Sequence, residues 1–151
     1  MKHLKMLMVA SLAVALIGGA GMVSTVAAPA CTETGTTGDD NLVGSVGDDV
    51  ICGLAGADFI RGLRGGDIVR GAGGADDLDG GPGDDTLRGG KQADALLGSV
   101  GADTLYGGRN ADQINAVDGV AGNDEVIGGR GEDTCRVDEG DTATCEHLIE
   151  V

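Results

Sequence analysis

Eleven aspartates recur at a fixed beat in this 151-residue chain: Asp40, Asp49, Asp58, Asp67, Asp76, Asp85, Asp94, Asp103, Asp112, Asp124 and Asp133. Neighbours stand nine residues apart, save for one gap of twelve between Asp112 and Asp124. An ionised carboxylate is an acceptor-only group with a full charge, so an ordered series of them suits the holding of hard cations. Acid and base catalysis is the competing use, and paired acids such as Asp84-Asp85 carry the groups for it. Catalysis also needs a pocket to set the environment of those groups, and short glycine-rich units build no core large enough to shape one. No His/Asp/Ser or Cys/His set and no His-Glu-x-x-His motif accompanies the acids. The expectation is a binding protein and not an enzyme.

The aspartate is the sixth position of a nine-residue unit. Residues 35–115 divide without a gap into nine units, from GTTGDDNLV to GGRNADQIN. After a three-residue slip, Ala116-Val117-Asp118, two more follow over residues 119–136, GVAGNDEVI and GGRGEDTCR. Position one reads as glycine in all eleven, and position four is glycine except at Gln92 and Asn110. Position eight runs Leu42, Ile51, Ile60, Val69, Leu78, Leu87, Leu96, Leu105, Ile114, Val126 and Cys135. A disordered linker has no reason to keep three positions in phase over so long a stretch.

Six turn-forming residues and three strand residues make each unit. Side chains alternate across a strand, so position eight faces inward while seven and nine face out. A strand this short needs neighbours, and the units are expected to stack as an all-β solenoid, two repeats to a coil, around the position-eight column. Repeats one and three then share an edge, so Asp40 lies above Asp58 and Asp49 above Asp67. Position-five acids such as Asp39 and Asp84 are expected to point to solvent.

Carboxylates on adjacent turns, with turn carbonyls freed by glycine, form an all-oxygen cage of the flexible kind calcium accepts. Magnesium demands a tighter octahedron, while zinc and copper favour imidazole or thiolate. Calcium is therefore the expected cofactor. The formal charge is −15, from ten basic and 25 acidic residues, which excludes nucleic acid and anionic membranes as natural partners and makes cations the remedy for self-repulsion.

At these residues the chain resembles the RTX, or hemolysin-type, calcium-binding repeat family, whose unit runs GGxGxDxUx with U a large apolar residue. GGPGDDTLR, residues 80–88, matches every fixed position. The resemblance implies a right-handed parallel β-roll with calcium between successive turns and the position-six aspartates as ligands. Two departures stand out. Position two is glycine only at Gly81, Gly90, Gly108 and Gly129, so less regular turns are expected elsewhere. The slip at residues 116–118 is expected to interrupt the register between repeats eight and nine and repeats ten and eleven.

Residues 1–30 read as a secretory signal peptide: a basic start with Lys2 and Lys5, an apolar run from Met6 to Val23, and small residues at Ala28 and Ala30. Glycines within the run argue against a spanning helix, and Cys31 lacks the preceding Leu of a lipid-modification signal. The domain proper is then residues 31–151, with residues 137–151 as a C-terminal cap resembling a decayed repeat. Cys31, Cys52, Cys135 and Cys145 are an even set in an exported chain and read as disulfides. Three pairings exist, and nearness in sequence favours Cys31 with Cys52 and Cys135 with Cys145. The whole describes a secreted, extracellular calcium-binding protein with no membrane contact after cleavage. The alternative is a calcium-stabilised adhesion or cell-envelope protein, whose extracellular protein or cell-surface partner the sequence leaves open.

Overall fold

A computed structural model describes residues 28–151; nearly all of the expected signal peptide lies outside them. Fourteen strands and no helix are found among the described residues. One sheet holds β1 (Glu33–Thr34), β3 (Val50–Ala55), β5 (Ile68–Gly73), β7 (Thr86–Lys91), β9 (Thr104–Arg109), β11 (Glu125–Arg130) and β13 (Thr142–Thr144) in that order. The other runs β2 (Asn41–Val43), β4 (Phe59–Arg61), β6 (Asp77–Asp79), β8 (Ala95–Leu97), β10 (Gln113–Asn115), β12 (Thr134–Val137) and β14 (His147–Glu150). Every pairing is parallel, and within the regular run each residue meets the one two repeats on, as Ile51 meets Val69 and Leu78 meets Leu96. This is the expected stacked solenoid with two repeats per coil.

The position-eight column is the core. Ile51, Ile60, Val69, Leu78, Leu87, Leu105 and Val126 are wholly buried between the sheets, with Leu96, Ile114 and Cys135 beside them. Positions seven and nine face outward, where Arg61 lies over the Phe59 ring and 3.9 Å from Asp79, and Arg88 lies over the Tyr106 ring. Cys31 is joined to Cys52 and Cys135 to Cys145, the near-neighbour pairing, so each end of the stack is clipped.

The slip does not interrupt the register. Thr104 pairs with Glu125 and Gln113 with Thr134, so the ladders pass straight across, and the three extra residues swell one turn. The N–H of Ala116 donates to the Arg136 carbonyl as position-one N–H groups do elsewhere, for example Gly80 to Leu97. Ala116, fully buried, therefore occupies position one of repeat ten, and Gly119 belongs to the enlarged turn. Val137 follows the same pattern in the tail and thickens the core there.

The irregular turns expected at position two are also mostly absent. Leu54, Leu63, Ala72 and Ser99 adopt φ values of 79–85°, in the left-handed region that Gly81 and Gly90 also occupy, and Gln92 and Asn110 do the same at position four. Strain of this kind costs on the order of 1–3 kcal/mol per residue. The stack must supply it.

Position-one glycine has a different reason, because these residues keep negative φ. A Cβ on Gly53, Gly71 or Gly89 would run into the carboxylate of the aspartate five residues on. Gly71→Ala is therefore expected to destabilise the calcium-loaded protein by about 1–3 kcal/mol, as overpacking does. Gly47→Ala, where nothing stands within 4 Å of the new methyl, should stay within about 0.5 kcal/mol. Urea midpoints of the two variants make the comparison; equal losses would show that space around the carboxylate is not what selects glycine.

Candidate metal centre

From Asp58 on, each position-six aspartate leaves its turn at the start of a strand, and the stack sets its two oxygens in different surroundings. Oδ1 accepts the backbone N–H of the equivalent aspartate one coil earlier: Asp76 from Asp58 at 2.9 Å, Asp85 from Asp67 at 2.7 Å, Asp94 from Asp76 at 2.9 Å. The chain of bonds crosses the enlarged turn, with Asp124 accepting from Asp103 at 2.7 Å and Asp133 from Asp112 at 2.9 Å. Asp58 above and Asp94 below Asp76 is the arrangement that the nine-residue register requires.

Oδ2 has no such partner. In Asp58, Asp67, Asp76, Asp85, Asp94, Asp103, Asp112, Asp124 and Asp133 it is buried and accepts no hydrogen bond. These nine side chains are at most 4% exposed. A buried carboxylate oxygen without a partner is costly, and among the described residues the only ion pair of fixed charge is Arg61–Asp79, with the His147–Glu132 contact beside it, both toward solvent. Burial pushes the carboxyls of Asp85 and Asp94 up to about 7 against the opposing pull of a backbone N–H. It pushes Asp103, Asp112 and Asp124 up to about 6, and Asp67 and Asp76 also upward.

A second oxygen faces the same place. The point where a Cβ would sit on Gly107 is 2.6 Å from the Gly128 carbonyl oxygen and also abuts Asp112 Oδ2; at Gly62 it is 2.5 Å from the Gly80 carbonyl and abuts Asp67 Oδ2. Glycine thus leaves room beside one carboxylate and one carbonyl, both hard oxygen donors of the kind calcium takes. Among the described residues no three His, Cys, Asp or Glu side chains converge. A cation on this column would therefore draw on few carboxylates and several backbone carbonyls, a donor set that fits calcium and not zinc. All four cysteines are in disulfides, and the described histidine, His147, is an exposed tail residue.

A family model for the RTX calcium-binding nonapeptide repeat, four copies long, matches residues 34–69, 52–87, 70–105, 88–120 and 115–142. The chain belongs to this RTX repeat family. RTX repeats bind calcium. Searches among curated proteins and solved structures found no match.

Several residues in the RTX array escaped sequence reasoning. Asp141 Oδ1 accepts from the Asn123 and Asp124 N–H groups, and Glu146 Oε2 accepts from Asp133 N–H, so the acidic ladder ends on two tail residues. Asp141-x-Ala143, in the tail already read as a decayed repeat, keeps the acid-to-apolar spacing of the unit, and Glu146-x-Leu148 keeps it too, which is the signal that could have found Glu146. Asp138 Oδ2 closes the enlarged turn by accepting from Asp118 and Gly119. The position-five acids do not simply point to solvent: Asp39, Asp48 and Asp84 accept the N–H of Ala57, Gly66 and Ala102 on the next coil. The stack juxtaposes position five as well as position six, which a single repeat read alone does not reveal.

Proposed function

We propose that this chain is a secreted calcium-binding protein that folds as it loads a row of calcium ions, with Asp58, Asp67, Asp76, Asp85, Asp94, Asp103, Asp112, Asp124 and Asp133 as side-chain ligands. The observation that carries this reading is the run of buried Oδ2 atoms without a partner. At neutral pH a column of desolvated like charges opposes folding, and bound divalent cations reverse the sign of that term. The aspartates orient Oδ2 through the bond each accepts at Oδ1, and glycine at position one, in every one of these repeats but that of Asp124, where Ala116 stands, admits the ion's approach. Two disulfides suit an oxidising, extracellular compartment.

Extracellular calcium modules bind at about 10⁻⁴ to 10⁻³ M, which would leave the protein loaded outside a cell and empty inside it. Circular dichroism of oxidised residues 31–151 tests the reading. Little β structure in excess EGTA and a cooperative gain on adding calcium is the expected result. A full β spectrum in EGTA, unchanged by calcium, would refute it.

A further inference from the structure

Asp40 and Asp49 fit the repeat as well as any other aspartate, yet the structure treats them differently. Asp40 Oδ2 accepts the backbone N–H of Thr36 at 2.6 Å and the Thr36 hydroxyl at 3.0 Å. Asp49 Oδ2 accepts the N–H of Ser45 at 2.6 Å. The two hydroxyls also accept from Gly38 and Gly47 at 3.2 Å, so each turn is closed on itself. Neither position two nor position four of these repeats takes the positive φ found in the regular turns that follow, although position four is glycine in both. A carbonyl does stand nearby, with Gly53 O 2.6 Å from the Cβ place on Gly35, so the difference lies in the carboxylate.

The hydroxyl alone does not decide it. Ser99 also sits at position two, but it has φ 79° and bonds to Asp79, and Asp103 keeps its Oδ2 without a partner. What separates the turns is place. Among the described residues, repeats one and two stand at the end of the stack with only the short strand β1 beyond them, and no outer turn there offers carbonyls or a carboxylate from that side. A backbone N–H and a hydroxyl at position two then satisfy the oxygen that a cation would otherwise need to satisfy. The Cys31–Cys52 disulfide and the bonds from the Thr32 hydroxyl to Asp49 and Val50 brace the same coil.

We infer that the first two repeats are a metal-independent cap, in which Asp40 and Asp49 lock their own turns and the calcium row begins at Asp58 and Asp67. This rests on the calcium reading above and adds where the row starts. The cap presents Asp40 N–H and Asp49 N–H to Asp58 Oδ1 and Asp67 Oδ1, at 2.9 and 2.8 Å, and so orients the first two ligand carboxylates without metal.

Calcium stoichiometry of the oxidised protein, measured by equilibrium dialysis, tests the inference with Asp49→Ala and Asp67→Ala compared on the same edge. Asp49→Ala should bind as many ions as the parent chain, and Asp67→Ala should lose at least one. If Asp67→Ala does not fold, Asp67→Asn, which keeps the Oδ1 acceptor, takes its place with the same expected loss. Equal losses from Asp49→Ala and the Asp67 variant, with the parent binding intact, would overturn the cap while leaving the calcium reading standing. A parent chain that binds no calcium would overturn both.

Discussion

Asp76→Ala and Asp76→Asn are expected to move the protein in opposite directions in the absence of calcium. Asp76 Oδ1 accepts the buried Asp58 N–H, and its Oδ2 is buried without a partner. Alanine removes both oxygens and leaves a buried donor unsatisfied, which costs about 1–3 kcal/mol. Asparagine keeps the acceptor and replaces the buried charged oxygen by a neutral amide NH2. In EGTA, at a pH low enough to leave the parent chain partly folded, Asp76→Asn should therefore be more folded than the parent and Asp76→Ala less. In calcium both should fold at higher metal concentration, by about tenfold or more, equivalent to about 1.4 kcal/mol. Asp84→Ala removes an equal charge and one exposed bond to Ala102, so its effect should stay near 0.5–1.5 kcal/mol. Calcium titrations followed by circular dichroism compare the four proteins. If Asp76 and Asp84 variants shift alike, net charge and not ligand geometry governs the response.

Acid should substitute in part for calcium. Burial holds Asp85 and Asp94 up to about 7 and Asp103, Asp112 and Asp124 up to about 6, against an ordinary value of 3.8. Between about pH 4 and 7 the folded chain then binds more protons than the unfolded one, so metal-free stability falls as pH rises through that window. Small domains hold only about 5–15 kcal/mol of net stability, which leaves little room for several buried charges at once. Metal-free protein unfolded at pH 7.5 is expected to gain β structure on titration to about pH 4.5, and calcium should add little there. A metal-free spectrum flat across the range would remove the carboxylate column as the element that opposes folding.

The fold was legible because one period governs the backbone, the core and the acids together. Aspartate two places before an aliphatic residue fixes which side faces inward, and a strand too short to stand alone forces stacking. What stayed hidden depends on neighbouring coils. Leu54 and Leu63 take a conformation favoured for glycine because the turns on either side impose it, and nothing in their side chains announces this. Ala116 stands at position one while Gly119, the glycine in phase by sequence, lies in an enlarged turn. Composition could not separate Asp49 from Asp67, since the distinction arises at the end of the stack. The tail reads as a decayed repeat through Asp141, but Glu146 has no glycine beside it to mark a further unit, although the bond it accepts is that of the repeat.

The constant register also has a mechanical meaning. Each strand bonds to strands one coil away, about eighteen residues along the chain, and among the described residues no strand ties distant coils together. Tension applied at the two termini would load the coils in series, like links, and release them singly from an end. One coil frees eighteen residues, or roughly 60 Å of extended chain. The loops closed by Cys31–Cys52 and Cys135–Cys145 cannot pay out that length while oxidised. The outermost links are thus shortened by covalent bonds, and the extensible part of the molecule is the stretch between them, whose stiffness the surrounding calcium concentration would set.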